Sequence, residues 1–155
     1  MEKNIDNKIL IILAHPSFQR SKFNKSLLNG IEKLDGVTIN NLYEIYPDFM
    51  IDAEREQKLL KEHNIIVFHH PLYWYSSPAI LKEWQDTVLE MGFAYGTNGN
   101  ALMGKKLLSA VTTGQISSLE KNNKFREFLF PYEQTAKFCK MEYLPPFILL
   151  NSAKI

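Results

Sequence analysis

An open, doubly wound α/β sheet is the fold class this sequence predicts, and three observations predict it. Short apolar runs alternate strictly with amphipathic segments along the chain. Residues that cap helices stand between the two kinds of segment. The stretches after the first, third and fourth apolar runs are polar or aromatic, where ordinary connections would be bland. The alternation is that of βαβ units around a parallel sheet, which binds ligands outside the carboxyl ends of its strands.

Lys8 to Ala14 is the first buried strand. Ser21 caps a helix over Lys22 to Leu34, in which Phe23, Leu27, Leu28, Ile31 and Leu34 recur on one side, and Asp35-Gly36 ends it. Val37 to Leu42 is strand two. After an irregular stretch, Tyr43 to Ile51, Asp52 caps a helix that is acidic at its start and basic towards Glu62. Ile65 to His69 is strand three. Ser77-Pro78 opens a helix with proline at the first helical position, running to Glu90 with Ile80, Leu81, Trp84, Val88 and Leu89 inward, and Gly92 stops it. Residues 92 to 104 read as loop, Lys105 to Thr112 as strand four, Asn122 or Asn123 as the cap of a helix to Phe138, and Pro145 to Leu150 as strand five.

The 155 residues suit one domain, 1–155. Lys and Arg number 18 against 17 Asp and Glu, without single-sign blocks, so nothing marks a nucleic-acid backbone or an anionic membrane as partner; a small molecule is expected. The single cysteine, Cys139, excludes an internal disulfide and a thiolate cluster. The apolar run Ile9 to Ala14 is too short for a signal peptide or membrane span, and a cytoplasmic location is expected.

Three loops converge on the carboxyl edge of such a sheet. His15-Pro16-Ser17-Phe18-Gln19-Arg20-Ser21-Lys22-Phe23-Asn24 ends at a helix N-terminus, where amides, the helix dipole and the side chains of Ser21 and Asn24 suit a phosphate. The other reading of Ser21 and Asn24 is plain capping. The second loop, Pro71-Leu72-Tyr73-Trp74-Tyr75-Ser76-Ser77, carries three successive rings that cannot all face one core. A planar ligand could stack there, on amides left open by the prolines; alternatively the rings cap a core. The third loop is Thr112 to Ser118.

The order of these motifs, His15-Pro16 with Ser21 and Asn24, then His70 to Ala79, then Thr112-Thr113-Gly114, resembles the flavodoxin-fold NAD(P)H:quinone oxidoreductases. Within that family Glu83-Trp84, Gly92-Phe93-Ala94-Tyr95-Gly96, Pro131 to Ala136 and Glu142 to Phe147 are similar to the ancillary oxidoreductase subunits of bacterial glutathione-gated potassium-efflux systems. The resemblance spans residues 8 to 150. It implies a five-stranded parallel sheet of order 2-1-3-4-5 in a three-layer α/β/α arrangement, the usual fifth helix missing. It implies a flavin cofactor, with FMN expected ahead of FAD because no further C-terminal segment is there to hold an adenine. The flavin would be held at its phosphate and ribityl part by His15, Ser21, Lys22, Phe23 and Asn24, at one edge of its ring by Pro71, Leu72, Tyr73 and Trp74, and at its pyrimidine end by Thr112, Thr113, Gly114 and Gln115. Tyr75, Phe93 and Tyr95 would wall the substrate side, Tyr95 from a neighbouring subunit. NAD(P)H as donor, a quinone-like acceptor, a homodimer, a potassium-efflux antiporter as partner and peripheral placement at the inner membrane face through it are further implications. No catalytic proton donor and no metal site is assigned.

Two departures from the family pattern stand out. Gln115 occupies the second glycine position of the usual Thr-Thr-Gly-Gly, where a side chain costs roughly 1 kcal/mol if φ is positive. The stretch Gln115 to Phe130 has neither the tyrosine nor the histidine that larger animal relatives use as a proton relay. Several other motifs fail. Gly99 to Lys106 has phosphate-loop spacing but lacks the final Ser or Thr and precedes its strand. His69 and His70 are adjacent in a strand and point oppositely, so they cannot share a metal. No Gly-x-Ser-x-Gly elbow supports a hydrolase. An electron carrier would need a more acidic surface. The alternative to an enzyme is a regulatory antiporter subunit with little reductase activity.

Overall fold

A computed structural model describes residues 7–114 and 125–150, with the side chains of Lys22, Phe23 and Leu27 outside that description. Among the described residues the strands are β1 (Ile9–Leu13), β2 (Val37–Asn41), β3 (Ile65–Pro71), β4 (Lys106–Thr113), β5 (Glu142–Tyr143) and β6 (Phe147–Leu150), in a wholly parallel sheet of order β2-β1-β3-β4-β5. The expected order 2-1-3-4-5 is the observed one. The fifth strand is split, however: β5 pairs with Lys106 and Leu107, and β6 with Ala110 to Thr113, along the same side of β4. Pro145-Pro146 lies between the two halves and cannot donate to the ladder, which interrupts the pairing.

The helices are α1 (Lys22–Ile31), α2 (Leu42–Ile45), α3 (Ala53–Glu62), α4 (Ala79–Val88), α5 (Phe125–Phe128) and α6 (Phe130–Phe138). Ser21 and Asp52 cap α1 and α3 as expected, each accepting from the amide three residues on. Pro78 is the N-cap of α4 rather than its first helical residue. Part of the stretch read as irregular is helical in α2. The single helix expected up to Phe138 is two, broken at Leu129 with Pro131 near the start of the second, where a missing amide proton is tolerated. Asn122, Asn123 and Gln115 lie outside the described residues.

Strand periodicity sorts the core into two faces. Leu10, Ile12, Ile66, Phe68, Leu107 and Val111 pack with Leu60 of α3, Leu81 and Trp84 of α4 and Tyr132 of α6. Ile11, Leu13 and Val67 face Leu28 and Ile31 of α1. These are the three α/β/α layers. The larger face contains a buried carboxylate, Glu56 on α3. Its oxygens accept from Asn40 Nδ2 (2.6 Å), Trp84 Nε1 (2.8 Å) and Tyr46 Oη (2.7 Å), and the Arg55 guanidinium contacts it. That carboxylate thus joins β2, α2, α3 and α4. Burial first, and the bond to Glu56 second, push the Tyr46 phenol up to about 12.

Candidate functional site

Parallel pairing aligns the strand ends that matter. Leu13 lies beside His69, His69 beside Ala110, and Pro71 beside Thr112, and the Leu72 amide donates to the Thr112 carbonyl (2.8 Å). The segments after β1, β3 and β4 therefore leave one edge of the sheet, as the doubly wound topology requires.

In the first segment the Ser21 hydroxyl oxygen accepts from the Asn24 backbone amide (3.3 Å) and from Asn24 Nδ2 (2.7 Å). Both lone pairs are thereby used, and the hydroxyl proton remains for an outside acceptor. The Asn24 side chain, which the sequence places among the ligand-binding residues, is turned inward. Asn24 is 1 % exposed, and its amide oxygen lies 2.9 Å from His69 Nε2. Asn24 holds Ser21 from within. His15 is half-buried, accepts the Ser17 amide proton at Nδ1 (3.1 Å), and so carries its own ring proton at Nε2. Burial lowers its pKa.

The second segment is a tight turn. Tyr73 and Ser76 exchange backbone hydrogen bonds (3.2 and 2.8 Å), and the two residues between them, Trp74 and Tyr75, have φ of 49° and 61°. This is the geometry of a type I′ turn, which ordinarily takes Asn or Gly, and bulky residues there are strained. Trp74 is 93 % exposed. The rings do not all cap a core, so that reading of the loop does not hold. Of the aromatic amides expected to be left open, that of Tyr73 is committed within the chain, as is the neighbouring Leu72 amide, whereas among the described residues those of Trp74 and Tyr75 find no partner. Burial raises the pKa of the Tyr132 phenol on α6, with the Ser77 and Ser76 side chains acting the other way, and Tyr75 packs on Phe128 with ring centres 5.2 Å apart. Pro71 is buried and Leu72 half-buried beneath the turn.

Thr112 and Thr113 are buried at the end of β4 and Gly114 is exposed beyond them. A groove of about 530 Å³ lies beside the first segment, lined by His15 to Arg20 and by Asn41, Tyr43 and Glu44. These last three are not among the residues expected from the sequence. A signal for them exists, because Asn40-Asn41 closes β2 and the carboxyl-end rule applies to that strand as well.

Adjacent histidines at the end of β3 diverge as strand geometry demands. His69 turns to α1 and Asn24; His70 turns to the other face, its Nδ1 2.8 Å from the Pro71 carbonyl and its ring 5.5 Å from that of Tyr132. Burial, foremost, drops both to about 4, so both imidazoles are neutral at pH 7.

The chain matches, over residues 7–155, the protein family described as having a flavodoxin-like fold. It belongs to that family. The glutathione-regulated potassium-efflux system ancillary protein KefG of Enterobacter sp. (strain 638) is 46% identical over 147 residues, covering 92% of this chain and 80% of the relative. General stress protein 14 from Treponema denticola, solved in complex with FMN, superposes with a TM-score of 0.86 at 39% identity, covering 92% of this chain and 86% of that one. An NADPH-quinone reductase from P. pentosaceus superposes with a TM-score of 0.83 at 36% identity, over 93% and 85%. Among the described residues no helix is long and apolar enough to cross a membrane.

In this flavodoxin-like chain Phe93 and Tyr95 do not join Tyr73, Trp74 and Tyr75. Each helix runs back from the carboxyl to the amino edge of the sheet, so the segment between α4 and β4 lies at the opposite edge from the three loops. Phe93 is buried in the core with the Lys61 ammonium 5.6 Å from its ring centre, and Tyr95 packs 4.9 Å from Phe138 of α6. Both lie away from the three loops of their own chain. The Gly99 to Lys106 segment braces the end of α3, where Lys105 Nζ donates to the carbonyls of Lys61 (3.3 Å) and His63 (2.6 Å), a favourable place for a cation.

Proposed function

We propose that this protein is an FMN-dependent NAD(P)H:quinone oxidoreductase. The observation that carries the reading is the juxtaposition, on one sheet edge, of a helix start, where Ser21 Oγ accepts from two donors of Asn24, and a strained turn presenting Trp74 to solvent. The residues fit FMN. Ser21, the first amides of α1 and His15 offer donors to a phosphate; Tyr73 and Trp74 offer ring faces to a planar group; Thr112, Thr113, Gly114 and Gln115 follow at the end of β4. When bound, FMN supplies two-electron chemistry between a pyridine nucleotide and a quinone.

The chain's own part is binding and orientation. The Tyr73–Ser76 turn, held by its own paired backbone bonds and by the packing of Tyr75 on Phe128, fixes the aromatic wall against which a ring system stacks, and burial beneath it of Pro71 excludes water from one side. Neutral His15 offers an Nε2 proton at the same edge. A homodimer belongs to this reading: Tyr95 can wall the substrate side only from a second copy, because its own chain carries it on the far edge.

A second reading is favoured by the 46% identity to a potassium-efflux ancillary protein. In it the protein docks on an antiporter at the inner membrane face and turnover is secondary. One experiment separates the two. The purified protein is mixed with FMN, desalted and titrated anaerobically with NADH or NADPH. Retained flavin absorption that bleaches and returns on adding a quinone supports the reductase. Retained flavin without bleaching leaves the ancillary reading, and no retained flavin sinks the FMN reading itself.

A further inference from the structure

We propose that His69 is a positioning residue for phosphate recognition: by donating from Nε2 to the Asn24 amide oxygen it fixes that amide so that the Ser21 hydroxyl points its proton outward. This deepens the FMN reading and rests on it. The ligand group concerned is a phosphomonoester, such as the terminal phosphate of FMN, which riboflavin lacks.

One carboxamide links β3 to the start of α1. Asn24 Nδ2 donates to Ser21 Oγ at 2.7 Å, and Asn24 Oδ1 lies 2.9 Å from His69 Nε2. A carboxamide flipped by half a turn would aim its oxygen at Ser21 instead. Ser21 would then donate to Asn24, and its proton would be lost to a ligand. What blocks the flip is the donor on β3. With His69 in the Nε2–H tautomer, which this role requires, the flipped amide would bring two buried donors together, at the desolvation cost of each. With the proton on Nδ1 instead, Nε2 would accept from the flipped amide, so a wild-type His69 found protonated at Nδ1 overturns the proposal. An apolar residue at position 69 would leave the amide orientation undecided. His69 is itself 4 % exposed and reaches no solvent-facing ligand, so its effect passes through Asn24 and Ser21.

Dissociation constants of FMN and riboflavin are measured for the wild type, His69→Phe, His69→Gln, Ser21→Ala and the His69→Phe/Ser21→Ala pair. Wild type prefers FMN. His69→Phe weakens FMN about tenfold and riboflavin less than about twofold. His69→Gln, which keeps an N–H donor, restores the preference, and in the double variant the preference falls no further than in Ser21→Ala alone. Equal weakening of both flavins, an unchanged ratio, or additive losses overturns the proposal. A wild type that does not distinguish FMN from riboflavin overturns the phosphate reading, and the proposal with it, before any variant is compared. Nitrogen-15 NMR of the wild-type imidazoles stands if His69→Phe does not fold. FMN shifts the His69 Nε2 resonance and riboflavin does not; the same response to both overturns the proposal.

Discussion

The indole Nε1 of Trp84 donates to Glu56 Oε2 across 2.8 Å, so that the middle of α4 is tied to a carboxylate on α3 with no solvent exposure. Glu56→Leu leaves the donors of Asn40, Tyr46 and Trp84 unpaired in the core. Unfolding in urea should show a loss of about 3 kcal/mol. A loss below about 1 kcal/mol would mean that water reaches these donors and that the carboxylate does not organise the face.

Stability should fall on acidification well before the carboxylates titrate. His69 and His70 have folded pKa values of about 4 against 6.5 unfolded. Between those limits the unfolded chain binds more protons, so stability rises with pH. Their contribution is full above pH 6.5 and lost progressively down to about pH 4. The slope is on the order of 1 kcal/mol per pH unit for each histidine. Urea unfolding at several pH values measures it, and a His69→Gln/His70→Gln variant should flatten it. An equally steep slope in that variant would assign the effect elsewhere.

The turn at Trp74 and Tyr75 exchanges stability for a presented ring. Tyr75→Gly relieves the positive φ of 61° and should raise stability by about 1 kcal/mol, less the packing lost against Phe128. The same change should loosen the aromatic wall and weaken flavin binding. Calorimetry and flavin titration on one preparation check both signs; a variant that loses stability would show that the Phe128 contact outweighs the strain.

Gly99 admits no side chain. A Cβ there would lie 1.8 Å from the Tyr95 carbonyl oxygen, and that backbone cannot step aside without releasing Tyr95. Gly99→Ala should cost about 2 kcal/mol or more and make the loop between α4 and β4 a site of early proteolysis. If Tyr95 walls a partner's site, the variant also loses quinone turnover while each copy still holds flavin. Unchanged thermal unfolding would contradict the close approach.

Much of the fold was legible because its signals are local. Ser21 and Asp52 cap helices through bonds to amides three residues on, and strand alternation requires only that Leu10 and Ile12 face one way while Ile11 and Leu13 face the other. The same periodicity separates His69 from His70. The site was legible as an edge, since parallel strands place their carboxyl ends together whatever the side chains do. The split of the last strand is also written locally, in Pro145-Pro146, although which residues of β4 each half pairs with is not.

What only the tertiary structure decided depends on groups far apart in the chain. Asn24 reads as a ligand residue until His69, 45 positions later, closes over it. Glu56 sits among charges on a polar-looking helix, yet Asn40, Tyr46 and Trp84 bring donors from three other elements and bury it. Phe93 belongs by motif to the aromatic wall, but the return of α4 carries it to the other edge and into the core. The physical reason is common to all three. Propensity, capping and periodicity act within a few residues, whereas desolvation and hydrogen-bond satisfaction are settled only when distant segments meet.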